Sequence, residues 1–156
     1  MRRAKPEKRE TFPDIRYNNV TVQVMINHML GRGKKSLANR LVYEALDLIR
    51  KHNGGKDPIE VFEAALKNVT PIMEVRPRRV GGATYQVPME VPAHRRITLA
   101  IRWILQSAHA RAGKSFPEKL AGELMDAAKN EGASIRKREE THKMAEANRA
   151  FSHYRF

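Results

Sequence analysis

The tightest constraint on this chain is the string MEVRPRRVGGATYQVPMEV at residues 73–91. Two runs of strand-forming residues flank Gly81-Gly82, and a two-residue Gly-Gly turn suits the primed turns that close β-hairpins. That turn fixes a register in which Val80 faces Ala83, Arg79 faces Thr84, Arg78 faces Tyr85, Pro77 faces Gln86 and Val75 faces Pro88. Pairs in such a hairpin alternate between hydrogen-bonded and non-bonded, starting bonded at Val80–Ala83. Both prolines then fall at non-bonded sites, where a missing N–H removes no ladder bond. A register slipped by one residue loses that match.

The same register sorts the chemistry. Met73, Val75, Val87, Met89 and Val91 gather at the base, where the ribbon can pack on a body. Arg76, Arg78, Arg79, Thr84, Tyr85 and Gln86 lie toward the tip. Eight residues per strand at about 3.3 Å each give a finger of roughly 26 Å. A lone two-stranded ribbon is marginal in water, so a long basic one calls for a partner. Arginine for phosphate and tyrosine for an unstacked base suit RNA, and an ordinary solvated hairpin is the plainer alternative.

Charge supports the polyanion. Lys and Arg number 30 against 17 Asp and Glu, a formal net charge of +13 in 156 residues. That excess exceeds what solubility needs and favours nucleic acid first, an anionic membrane second. It is also uneven: residues 1–40 carry +7, residues 41–70 carry −1, and residues 71–96 carry +3. The middle segment is therefore expected to sit away from the polyanion. No apolar run reaches the ~18 residues of a spanning helix. The charged start lacks the pattern of a secretory signal, so the chain reads as soluble and intracellular.

Residues 1–18 combine two prolines with Arg2, Arg3, Lys5, Lys8 and Arg9, and read as a basic arm that orders on nucleic acid. A first helix follows over Val20 to Leu30 on the stripe Val22, Met25, Ile26, Met29 and Leu30, with Asn19 as cap, although the Val-x-Val-x-Val start also fits a strand. Arg32, Lys34 and Lys35 then crowd a glycine turn at 31–35, a cationic knuckle without the Walker pattern. Leu37, Leu41, Ala45, Leu48 and Ile49 mark a second helix. Asp57-Pro58-Ile59-Glu60 opens a third with side-chain cap, proline and first-turn acid. A fourth starts at Pro92 with Ile97, Ile101, Ile104, Leu105 and Ala108 as its apolar face, Trp103 as a core or hairpin-packing anchor, and Arg95, Arg96 and Arg102 as cations.

Arg111 and Lys114 occupy the next loop as further phosphate contacts, and Ser115-Phe-Pro-Glu118 reads as a capping box for a fifth helix. Residues 134–156 form a last helix and tail. Its start holds Arg136, Lys137 and Arg138, which oppose the helix dipole and predict either fraying or an outside anion. The aromatic-basic end, Phe151 to Phe156, could pack back, touch RNA or meet another protein.

The catalytic signatures are missing from the sequence. The six histidines show no HExxH spacing, GxSxG is absent, and there is no cysteine. No cofactor, metal, small-molecule substrate or enzymatic role is expected. An architectural DNA-binding protein with a β-ribbon arm is the main rival class.

The hairpin string, together with GKKSLA at 33–38, TLAIRWIL at 98–105, ELMDAA at 123–128 and KMAEANRAFSHYR at 143–155, resembles the bacterial and organellar family of small-subunit ribosomal protein seven. The resemblance spans nearly the whole chain, as a single RNA-binding domain. It implies a mainly α fold, a bundle of about six helices with one protruding two-stranded antiparallel β-hairpin. It also implies a structural role: binding the 3′ major domain of small-subunit rRNA and nucleating assembly of the head. Such proteins lie at the subunit interface near the exit-site tRNA and mRNA, beside small-subunit proteins nine and eleven. The implied location is the ribosome, cytoplasmic or organellar. Phe156 stands where many members end in tryptophan.

Overall fold

A computed structural model of the chain describes residues 10–55 and 57–154. It contains the helices α1 (Val20–Met29), α2 (Lys35–His52), α3 (Pro58–Val69), α4 (Ala93–Ala110), α5 (Phe116–Ala128) and α6 (Ala133–Ala147), with a 3-10 helix at Arg149–Tyr154. Between α3 and α4, β1 (Met73–Val80) and β2 (Ala83–Glu90) pair antiparallel. The mainly helical class with one hairpin is the class expected.

Apolar spacing explains how the helices pack. Val22, Met25 and Ile26 are fully buried at i, i+3 and i+4, so the ambiguous start of α1 resolves as helix. α5 lies among α2, α3 and α4 and presents Leu120, Leu124 and Ala127 to them. Phe62, Leu46, Ile49, Ile101 and Ile104 complete the centre, and truncating one of these to alanine costs about 2–5 kcal/mol. Trp103, only 9 % exposed, is a core anchor as expected.

The helix starts differ in instructive ways. Asn19 accepts from the Thr21 and Val22 amides at 2.8 and 3.3 Å, and Asp57 accepts from Ile59 N at 2.9 Å. Ser115, by contrast, makes no side-chain cap bond, contrary to the expected capping box. Pro117 explains this in part: it lies within the first turn, has no N–H to offer, and fixes the helical φ itself.

At α6 the anion that offsets the basic start comes from within the chain. Glu123 of α5, 1 % exposed, accepts through Oε1 from the Ser134 amide (2.9 Å) and the Ser134 hydroxyl (2.7 Å). The expected fraying or outside anion is therefore replaced by a buried carboxylate at the dipole's positive end. Gly132, at φ +96°, lets the chain enter this turn; a Cβ there would sit 3.0 Å from Glu123 Oε1.

Residues 1–9, including Arg2, Arg3, Lys5, Lys8 and Arg9, lie outside the described residues, as do Lys56, Arg155 and Phe156. The arm read from the sequence runs to Asn18, but the structure ties the chain to the body from Asp14 onward. Asp14 is buried and accepts from the Arg16 and Tyr17 amides (3.0 and 3.1 Å) and the Tyr43 hydroxyl (2.5 Å). Burial, then this bond to Asp14, pushes the Tyr43 phenol up to about 12. Arg16 is spent on Asp47, with Nη2 to Oδ1 at 2.6 Å, and lies over the Tyr17 and Tyr43 rings.

The ribbon has the register deduced from its turn, from Val80 opposite Ala83 down to Val75 opposite Pro88. Gly81 and Gly82, at φ +56° and +87°, supply the two left-handed residues of a type I′ turn. At the root, Val87 and Val91 are fully buried, and α6 packs against both strands. The Ile72 amide donates to His142 Nε2 of α6 at 3.1 Å, and the Val91 amide donates to Ile72 O at 2.9 Å. The tail packs back: the Tyr85 ring centroid lies 5.4 Å from Phe151 and 5.1 Å from Tyr154.

Candidate nucleic-acid interface

Cations become available to a polyanion only where the fold has not already paired them, and this divides the candidate arginines. Glu74, at the ribbon root and 8 % exposed, takes Arg76 at 2.5 Å and Arg95 at 3.1 Å. Arg96 donates to Glu90 Oε1 at 2.7 Å and to Val91 O at 2.8 Å. Three of the five arginines of the ribbon and its exit are thus paired within the fold: Arg95 and Arg96 fasten the finger to α4, and Arg76 ties to Glu74 along its own strand. Arg111 is held more firmly, donating to Glu123 at 3.0 Å and Asp126 at 2.5 Å. The hydrogen bond to Asp126, opposed by burial, raises its affinity for the proton.

Arg78 and Arg79 form the complement. Both are exposed and make no ion pair among the described residues. Consecutive strand residues point to opposite faces, so Arg78 shares a face with Tyr85 while Arg79 shares the other with Thr84. The tip can therefore meet phosphate on both sides. Gln86 is exposed beside Pro77 on the Arg79 face. Tyr85 is half-buried beneath the tail rings and is not a free stacking platform.

The knuckle folds as a tight turn in which Arg32 (φ +53°) and Gly33 (φ +76°) are left-handed. It leaves Arg32, Lys34 and Lys35 exposed, and α2 opens there with no acid in its first turn and no side-chain cap. The Lys34 and Lys35 amides donate to Gly31 O (3.1 Å) and Gly33 O (2.9 Å), so the turn gathers three cations at the positive end of α2, where negative charge is favoured. Arg102 and Lys114, also exposed, border a trough between helices.

That trough adds residues the sequence reading missed. His28, Arg102, Gln106 and His109 line one cavity of about 260 Å³; His109, Lys114 and Lys119 line a second of about 360 Å³. Arg102, Gln106 and His109 recur at i, i+4 and i+7 on α4, a polar stripe that helical spacing could have revealed. His28 and Lys119 come from α1 and α5, and no local signal pairs them with α4. Partial burial, then the Arg102 guanidinium, hold the His28 imidazole below its usual pKa. Among the described residues no cluster of three His, Asp or Glu could hold a metal, and no helix is long and apolar enough to cross a membrane.

Two comparisons place the chain among known proteins. The family model "Ribosomal protein S7p/S5e" matches residues 1–149. A "Small ribosomal subunit protein uS7" of Caldanaerobacter subterraneus subsp. tengcongensis is 60 % identical over 149 residues, 96 % of this chain and 95 % of that protein. Proteins of the same name from Thermosynechococcus vestitus and Teredinibacter turnerae are 57 % and 54 % identical over 155 residues, 99 % of both chains in each case. The mainly helical fold and the ribbon agree with these matches, which give one conclusion: the chain belongs to the S7p/S5e family of ribosomal proteins, structural and not enzymatic.

Proposed function

We propose that the chain is a structural rRNA-binding protein of the small ribosomal subunit. It grips the 3′ major domain of the small-subunit rRNA and nucleates assembly of the head. It then lies at the subunit interface, near the exit-site tRNA and mRNA and beside small-subunit proteins nine and eleven. The observation that carries the reading is the distribution of unspent cations. Arg78 and Arg79 at the ribbon tip, Arg32, Lys34 and Lys35 at the knuckle, and Arg102 and Lys114 along the trough are all exposed. The acidic stretch 41–70 forms α2 and α3 instead.

The mechanism is an electrostatic clamp that reads shape. Each cation displaces a condensed counterion from a phosphate, and the projecting ribbon suits irregular RNA better than a smooth duplex. The test is binding of a transcript of the 3′ major domain, in competition with duplex DNA of equal length. The folded RNA is expected to win by a wide margin; preference for the duplex would replace this reading with the DNA-binding one. With six to ten phosphate contacts, affinity should fall by about 10³–10⁵ between 50 and 200 mM salt, somewhat less for single strands. Sedimentation with the small subunit checks the cellular side.

A further inference from the structure

The trough offers an unusual set of walls for its size. α1 contributes His28 and Met29, α4 contributes Arg102, Leu105, Gln106 and His109, α2 contributes only Leu41, and the loop and start of α5 contribute Lys114, Phe116 and Lys119. The two cavities share Met29 and His109, so they meet along one wall. Among the described residues no carboxylate lines either one. The titratable groups facing the space are two imidazoles, one guanidinium and two ammonium groups, over an apolar floor of Met29, Leu41, Leu105 and Phe116. His109 packs on Phe116 with ring centroids 4.6 Å apart.

We propose that this trough seats one phosphodiester segment of a single-stranded stretch of the ribosomal RNA, and that His28 and His109 each take up a proton as it binds. The proposal rests on the rRNA-binding reading and deepens it. A duplex cannot enter cavities of about 260 and 360 Å³ between helices, whereas a single backbone with one base edge on the apolar floor can. Arg102, Lys114 and Lys119 attract the phosphate without titrating near neutrality. In the free protein Arg102 opposes a charge on His28. A phosphate placed between them reverses that field, and the imidazoles then gain protons from solvent. Binding is therefore linked to proton uptake, and affinity falls as pH rises through the histidine range. Each histidine charged on binding contributes up to about tenfold per pH unit.

The deciding experiment measures affinity for the 3′ major domain transcript at pH 6 and pH 8, at one ionic strength, for the full chain and for H28Q/H109Q. Glutamine keeps a hydrogen-bonding side chain but removes the titration. The unaltered chain is expected to bind about tenfold or more tighter at pH 6, and the variant to lose most of that difference. Equal pH dependence in both would overturn the proposal while leaving rRNA binding intact. No binding of the unaltered chain at either pH would instead defeat the rRNA reading itself. A second measurement stands independently of the variant's folding: the NMR titration midpoints of the His28 and His109 rings, with and without RNA. Both should move upward on binding, and unchanged midpoints would equally overturn the site.

Discussion

The root and the tip of the ribbon carry the same side chain for opposite purposes. At the root, Arg76, Arg95 and Arg96 meet Glu74 and Glu90 within ion-pair distance, and the pairs of Arg95 and Arg96 hold the finger to the body. At the tip, Arg78 and Arg79 are exposed and meet no carboxylate among the described residues. Arg76 stands only two and three residues from Arg78 and Arg79, so neither composition nor local position separates the two classes. Proximity of an acid does. An arginine beside such an acid belongs to the fold, and one without it is available to a partner.

The contrast can be broken most forcefully at the deepest pair. Arg111→Ala should leave the carboxylate of Glu123 buried and unmatched, costing about 3 kcal/mol, near the low end for such pairs because Arg111 is partly exposed. A urea midpoint unchanged by this substitution would show that Arg111 is not structural. Glu74→Ala comes next: it unfastens Arg76 and Arg95 together and should cost about 1–2 kcal/mol. Faster amide exchange confined to β1 and β2 is the expected signature. At the tip the roles reverse. R78A/R79A should change stability by no more than about 0.5 kcal/mol yet lower the salt slope of RNA binding by about 1.5–2. Adding Arg76→Ala should lower stability further without a matching drop in affinity, which separates the two classes of arginine in one series.

The smallest effect concerns His142. Its Nε2 accepts the Ile72 N–H, and burial, then Arg138, lower its pKa from the usual 6.5. A histidine so depressed favours the folded state fully above 6.5, and that contribution fades as pH falls from 6.5 toward the folded value. The ribbon root should therefore exchange faster in mild acid, and His142→Gln should flatten the dependence. A pH-independent root would mean the latch does not contribute.

Much of the fold was legible because its signals are local. Gly81-Gly82 with two well-placed prolines gave the register, and Asp57-Pro58 gave the start of α3. What stayed hidden depends on residues distant in sequence. Glu123 sits eleven positions from Ser134, so the basic start of α6 looked uncompensated until α5 and α6 were packed together. Tyr85 looked like a base platform because the tail that covers it lies more than sixty residues onward. Likewise, the free and the spent arginines of the candidate site look alike in one dimension. The sequence located the ribbon, knuckle and α4 cations, but not the histidines that complete the trough.

The three rings at Tyr85, Phe151 and Tyr154 have a consequence for how the finger works. A bare two-stranded ribbon flexes, and stiffening it against a ligand would subtract from affinity. Here the 3-10 helix Arg149–Tyr154 leans on the ribbon like a splint, so much of that stiffening is already built into the fold. On the proposed function, the finger reaches its RNA with that part of its stiffness already in place.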